Sequence, residues 1–267
     1  MAYQSPVVWW KLPYGAQTGD PGGSLATYSN RPVVPHPTQN RLLAALPESE
    51  TGRLFPQLDL VKLFAGEHLY ESGDRMIRAY FPTTAIVSLM YMTENGGSAE
   101  MIGNEGLLGI ALFMGGASVS NQAVVHHSGQ AYLLNGPLLK DEFDRGGVVR
   151  NLLLRYVQAR LTGLMQTVVC VQHHSVDQQL CRWLLMGLDR LAADHECMNQ
   201  GLIEAMAALP PEAMTGIVDE LQRAGLIRRG FDCIAVVDRP GLEARVCECY
   251  EVVRKEFRRL FPYTVRS

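Results

Sequence analysis

The sequence predicts an α+β fold, and three observations carry that reading. Between Val61 and Leu134, short β-rich runs (VKLF, GEHLY, AYFP, AIVSLMYM, SAEMI, QAVVHH, QAYLL) are separated by turns at Gly66, Gly73, Asn95-Gly96-Gly97, Gly115-Gly116 and Gly129, the texture of a β-sandwich or roll. From Leu152 to Leu191 the apolar residues recur at helical spacing instead. Beyond residue 200, helical segments surround LIRRGFDCIAVVD, which reads as a two-strand hairpin. The expected division is an extension over residues 1–38, a β-roll with flanking helices over 39–147, a long helix over 148–172 and a C-terminal domain over 173–267.

A chain of 267 residues with 47% apolar content is long enough for two well-filled cores. Its net charge of -3 means that any nucleic-acid-binding surface must be local. The six cysteines (Cys170, Cys181, Cys197, Cys233, Cys247, Cys249) form no CxxC pair, so reduced thiols are expected. The chain lacks a signal-peptide pattern and any apolar run of bilayer length, from which we expect a cytoplasmic protein with no membrane partner. Nucleophile elbow, phosphate loop, metalloprotease motif and supported carboxylate pair are absent too, so no catalytic residues are assigned.

Met1 to Thr38 mixes Pro, Gly, Ser and aromatics without period and is expected to be a mobile extension, with Trp9 and Trp10 best suited to enter a groove. From Gln39 the spacing is helical, broken by Pro47, where Pro47-Glu48-Ser49-Glu50 starts a second short helix. Asn95-Gly96 is the sharpest hairpin signal. After Pro137, LLKDEFDR is a helical connector, and Gly146-Gly147 separates it from the long helix. In that helix Leu154, Val157, Leu161, Leu164, Val168 and Val171 recur at steps of three and four, forming a seam that suits a dimer interface. Leu153, Met165 and Val169 lie beside it, placed to pack on the chain's own core. The spacing alone leaves a dimer seam and an ordinary buried helix both open. ARVCECYEVVRKEFRRLF reads as an amphipathic helix whose Val246, Tyr250, Val253 and Phe257 would pack on the C-terminal domain.

GEHLYESGD, YFPTTAIVSLMYMTENGGSAE and IGNEGLLGIALFMGG, followed by the long helix, the turn Gln172-His173-His174-Ser175 and DQQLCRWLLMGLDRL, resemble the Crp/Fnr family of bacterial transcription regulators. LQRAGLI and VVDRPGLEARVCECYEVVRKEF resemble one branch of it closely, and the likeness covers roughly residues 39–260. It implies a cyclic-nucleotide-binding-like β-roll, a dimerisation helix and a C-terminal winged helix-turn-helix, with double-stranded DNA, a second copy of the chain and RNA polymerase as partners.

In family members that bind cyclic AMP, a cassette presents Gly and Glu to the ribose and Arg with Ser or Thr to the phosphate. The matching ligand-binding positions here are Gly103, Glu105, Asn121 and Gln122, with Asn121-Gln122 in place of the arginine, and no Lys or Arg lies between Glu100 and Lys140. An anionic nucleotide would find no balancing charge there, so cyclic-nucleotide binding and cofactors are not expected. His126 and His127 are neighbours on an expected strand and point apart, so they are not expected to share one metal. Cys170, His173 and His174 share a helix face at a spacing that suits zinc or haem iron, but the His-His pair resembles the family branch's usual turn, where capping and packing explain it, and no metal is assigned. In the helix-turn-helix, a first helix is expected over Gln200 to Ala207 and a second over Pro211 to Ala224. Pro210 and Pro211 stand where the resembled branch carries arginines, and Gly216 and Asp219 where relatives often carry basic residues. The remaining DNA-contact candidates are Glu212 and Thr215 on the helix, with Arg223, Arg228 and Arg229 for phosphates.

Overall fold

Alternating apolar residues in the β-rich region close two antiparallel sheets over one core. In the computed structural model, which describes residues 35–93, 96–116, 118–191, 197–199, 203, 211–230 and 233–260, strands β1 (Asp59–Leu63), β7 (Gly129–Asn135) and β3 (Arg78–Pro82) form one sheet in the order β1-β7-β3. Strands β2 (His68–Tyr70), β6 (Gln122–His127), β4 (Ile86–Thr93) and β5 (Gly96–Ile102) form the other, in the order β2-β6-β4-β5. Val87 and Leu89 of β4, Ala123 and Val125 of β6, Leu63 and Ala131 meet between the sheets, as a period of two requires. Thr93 pairs with Gly96 and Met92 with Gly97, so Gly96 and Gly97 belong to the strand rather than the expected turn; residues 94–95 lie outside the described residues. Trp9, Trp10 and the rest of residues 1–34 also lie outside the described residues.

The helices around the roll follow the capping and turn chemistry of the sequence. Buried Asn40 accepts hydrogen bonds from the Leu42 and Leu43 N–H groups to start α1 (Arg41–Ala44), and its amide donates to the Pro82 and Gly106 carbonyls at 2.8 Å. α2 (Glu48–Leu54) begins after Pro47, and α3 (Ala111–Met114) follows the cassette loop. α4 (Gly136–Arg145) turns into α5 (Gly147–His173) through Gly146 and Gly147, whose φ values of 83° and 72° other residues rarely adopt. The first half of α5 is held by the roll: Val149, Leu152, Leu153, Tyr156 and Ala159 are buried with Leu42, Leu43, Phe81, Phe113, Leu134 and Leu139.

The Ser175–Gln178 capping box opens α6 (Val176–Leu188). Every residue from Gln179 to Leu188 is buried, because α6 forms the centre of the C-terminal domain. Around it lie α7 (Pro211–Arg223), α8 (Arg239–Arg245), α9 (Cys249–Leu260) and a sheet of strands β8 (Cys197–Asn199), β10 (Cys233–Val236) and β9 (Ile227–Arg229) in the order β8-β10-β9. The β9–β10 hairpin is the expected one, while β8 went unforeseen. Cys197 of β8 lies opposite Ala235 and Cys233 of β10 opposite Asn199. The two cysteines, with Cα atoms 5.5 Å apart, form a disulfide, which corrects the expectation of six reduced thiols. Cys170, Cys181, Cys247 and Cys249 are free and buried.

The expected single C-terminal helix is two helices, because the backbone turns extended at Val246 and α9 restarts at Cys249. Tyr250 and Val253 enter the α6 core, with Val246 and Phe257 packed against it, while Leu260 reaches the core beneath the roll. Ile86 and Met101, on the outer side of the β4–β5 pair, belong to the same core as α6, so apolar packing is continuous from the roll into the C-terminal domain.

Candidate nucleic-acid interface and ligand cassette

α7 begins at Pro211, where the missing N–H costs nothing, and runs to Arg223. Met214, Val218 and Leu221 form its buried face, leaving Thr215, Gly216, Asp219 and Arg223 exposed. The Glu212 side chain, Pro210 and the expected first helix over Gln200 to Ala207 lie outside the described residues, save for Ile203, which is helical and buried. Beside α7, β9 buries Ile227 and exposes Arg228 and Arg229. Arg229 Nη1 lies 3.8 Å from Asp219 Oδ1, and the Arg229 N–H donates to Gln222 Oε1 at 2.8 Å, so wing and helix are joined. Arg223 and Arg228 have no carboxylate partner among the described residues. The exposed face therefore offers three arginines, one of them partly offset by Asp219.

The seam on α5 is exposed in the single chain: Leu154, Leu161, Leu164, Val168 and Val171 are 39% to 57% accessible, and Val157 alone packs partly on the roll-side core. Leu153 is buried as expected, but Met165 and Val169 are exposed, which corrects their assignment to the chain's own core. The reason lies in what flanks the helix. The roll covers only its first half, while α9 takes a different face farther on: Gln166 Nε2 donates to Cys249 Sγ at 3.1 Å, and Cys170 is buried against Cys247 and Cys249. From residue 161 onward the uncovered strip therefore widens to include both residues.

In the cassette, Gly103, Glu105, Asn121 and Gln122 do not converge on an open anion cradle. Glu105 is buried; its Oε2 accepts from the Gly103 N–H at 3.2 Å and its Oε1 from Arg190 Nε at 2.8 Å, while Arg190 Nη1 donates to the Met186 carbonyl. A Cβ at Gly103 would meet Arg190 Cβ at 2.8 Å. Glu105 thus ties the cassette to the end of α6. Asn121 Nδ2 donates to the Tyr91 hydroxyl at 2.9 Å, and Gln122 Nε2 approaches Met90 Sδ at 3.9 Å.

α5 also brings a buried cation to the roll. Arg160 is buried and pairs in a fork with Glu100 of β5, Nε to Oε1 at 3.0 Å and Nη2 to Oε2. Its charge is matched within the protein. The sequence pattern gave no sign of Arg160, since an arginine in a helical seam reads as surface until the roll is placed against it.

His126 and His127 sit next to each other on β6, and burial pushes His126 down to about 4. Of Cys170, His173 and His174, the structure brings the first and last together with Cys247 and Cys249, and leaves His173 exposed and outside the group. Cys247 and Cys249 were missed because a CxC pair far along the chain gives no sign of its partners.

In comparisons with known proteins, no family model and no curated protein sequence matches the chain. Solved structures do. FixK2 of Bradyrhizobium japonicum is similar at 15% identity and a TM-score of 0.57, covering 71% of this chain and 98% of FixK2. A transcriptional regulator of the CRP family from Thermus thermophilus is similar at 13% identity and a TM-score of 0.58, over 70% of this chain and 95% of that one. The c-di-GMP responsive global regulator CLP of Xanthomonas campestris is similar at 12% identity and a TM-score of 0.55, over 72% of this chain and the whole of that one. With the roll, the long helix and the hairpin-bearing helical domain following one another in the same chain, the fold is that of the Crp/Fnr transcription regulators.

Proposed function

We propose that the chain is a cytoplasmic, homodimeric transcription regulator of Crp/Fnr type that acts by binding double-stranded DNA rather than by catalysis. The observation that carries this reading is one arrangement: an exposed apolar strip along α5 (Leu154, Leu161, Leu164, Val168, Val171) leading to a domain that exposes one face of α7 and a basic wing. Such a strip, with Val157 at its edge, suits a parallel pairing that would present two α7 helices to successive major grooves. On each, Thr215 and Glu212 would face base edges, while Arg223, Arg228 and Arg229 would hold phosphates. RNA polymerase is a further partner in this reading.

The roll acts without a cyclic nucleotide. Glu105 of the cassette is already paired with Arg190, and Arg160 of α5 with Glu100, so neither of these buried arginines is free to balance a cyclic phosphate. Cyclic AMP and cyclic GMP should therefore give no binding isotherm by titration calorimetry.

Asp219 on the exposed face of α7 favours a second reading, a heterodimerising or protein-interaction module that has lost operator binding. Genome-wide capture of DNA on the full-length chain, beside an Arg228→Ala/Arg229→Ala variant, separates the two. Discrete enriched sites that the variant loses support the regulator, and uniform background from both supports the interaction module.

A further inference from the structure

The end of α5 and the turn between α8 and α9 bring together a donor set outside the reading head and the cassette. Cys170 lies in the last turn of α5, His174 caps it, and Cys247 and Cys249 sit on either side of Glu248 where α9 begins. The four ligand atoms all lie within 4.8 Å of one another. Cys170 Sγ is 3.6 Å from Cys247 Sγ, and Cys249 Sγ is 3.4 Å from His174 Nδ1. A tetrahedral zinc ion, with bonds of about 2.3 Å to sulfur and about 2.0–2.1 Å to nitrogen, spaces its ligands at about 3.8 Å for sulfur pairs and about 3.5 Å for sulfur and nitrogen. The 3.6 Å and 3.4 Å spacings match a single ion, and the 4.8 Å span of the set is within small side-chain adjustments of it, whereas a polynuclear iron–sulfur cluster would hold its thiolates farther apart.

Three neighbouring observations also suit an ion. Arg182 is 1% exposed and within electrostatic reach of Cys170, Cys247 and Cys249; its Nη2 donates to Thr167 Oγ1, its Nε has no hydrogen-bond partner, and no carboxylate pairs with it among the described residues. Three thiolates, a neutral imidazole and a divalent cation sum to one negative charge, which Arg182 balances. Neutral thiols would leave the buried guanidinium with no counter-charge. The second observation is the outer contact of His174: with Nδ1 turned to the sulfurs, Nε2 lies 3.3 Å from Glu248 Oε1, the carboxylate contact that orients a metal-bound imidazole. The third is Gln166, whose Nε2 donates to Cys249 Sγ at 3.1 Å, as an amide does to a thiolate.

We propose that Cys170, His174, Cys247 and Cys249 bind one zinc ion that fastens the C-terminal domain to the end of the long helix. The site spans the junction where α5 gives way to α6, so the ion fixes the angle at which the domain leaves the helix. Binding releases the thiol protons and changes no oxidation state.

The test uses the full chain, purified reduced and without chelator, with metal measured by plasma mass spectrometry and cobalt(II) replacing zinc in the stripped protein. The proposal expects one zinc per chain, together with thiolate-to-cobalt charge-transfer and strong tetrahedral visible bands. Cys249→Ser should weaken zinc binding more than 100-fold and Glu248→Gln by about 10–100-fold, while Cys181→Ser, at a buried cysteine outside the set, should bind as the unmodified chain does. Circular dichroism of the stripped protein shows whether it is folded when cobalt is added, so loss of binding is not confused with loss of fold. A folded, reduced chain that takes up no stoichiometric zinc or cobalt would overturn the proposal. So would unaltered binding by Cys249→Ser, a native disulfide between Cys170 and Cys247, or iron in place of zinc.

Discussion

Tyr156 shows how single residues set the position of the cassette against the long helix. Its buried hydroxyl accepts from the Leu107 N–H and donates to the Leu107 carbonyl, both at 3.0 Å, and a Cβ at Gly106 would overlap that hydroxyl. Tyr156→Phe strands two buried backbone groups and should cost about 1–3 kcal/mol in urea denaturation. The buried Glu105–Arg190 pair is a second fastening: Glu105→Ala leaves an unpaired guanidinium and should cost about 3–5 kcal/mol. His126 supplies a pH dependence. Its imidazole is held neutral down to about 4 in the fold, against an ordinary value of 6.5, so the unfolded chain binds this proton first as pH falls. Stability should be complete above pH 6.5 and decline between pH 6.5 and 4, with a shallower decline in His126→Gln, as thermal melts at stepped pH would show. None of these partnerships was legible in the sequence, because each joins residues brought together by the fold from distant segments.

The elements were far more legible than their contacts. Alternation and glycine turns marked all seven strands of the roll, and steps of three and four marked the seam of α5. Periodicity left open which other element covers a helix, and that decided Met165 and Val169: α9 takes a neighbouring face of α5, and both stay exposed. The break at Val246 was hidden for a related reason, since ARVCECYEVVRKEF keeps a helical period across an extended residue. On the proposed dimer, Leu161→Glu with Leu164→Glu buries like charges at the interface centre, and sedimentation should show monomer where the unmodified chain is dimeric at micromolar concentration. On α7, Gly216 is exposed and a Cβ there meets nothing within 4 Å. Gly216→Ala should therefore stabilise the helix by about 1 kcal/mol, read as a rise in Tm.

At the scale of the molecule, the roll and the C-terminal domain share a core through Ile86 and Met101, and Glu105 and Arg190 join them at the end of α6. The order of domains followed from the sequence because each has its own period, and the likeness to Crp/Fnr regulators rested on motifs spread over most of the chain. The cysteines behaved otherwise. Cys197 and Cys233 are joined, and Cys170 meets Cys247 across 77 positions, pairings that spacing alone leaves open. In the proposed dimer, two chains paired along α5 would read one DNA duplex with α7 and the β9–β10 wing. Analytical ultracentrifugation of a fluorescent duplex drawn from the captured sites, titrated with the full-length chain, tests it most directly. Two chains reading one duplex should give a single complex of two chains per duplex, absent for the Leu161→Glu/Leu164→Glu variant. A complex of one chain per duplex, or equal binding by that variant, would contradict it.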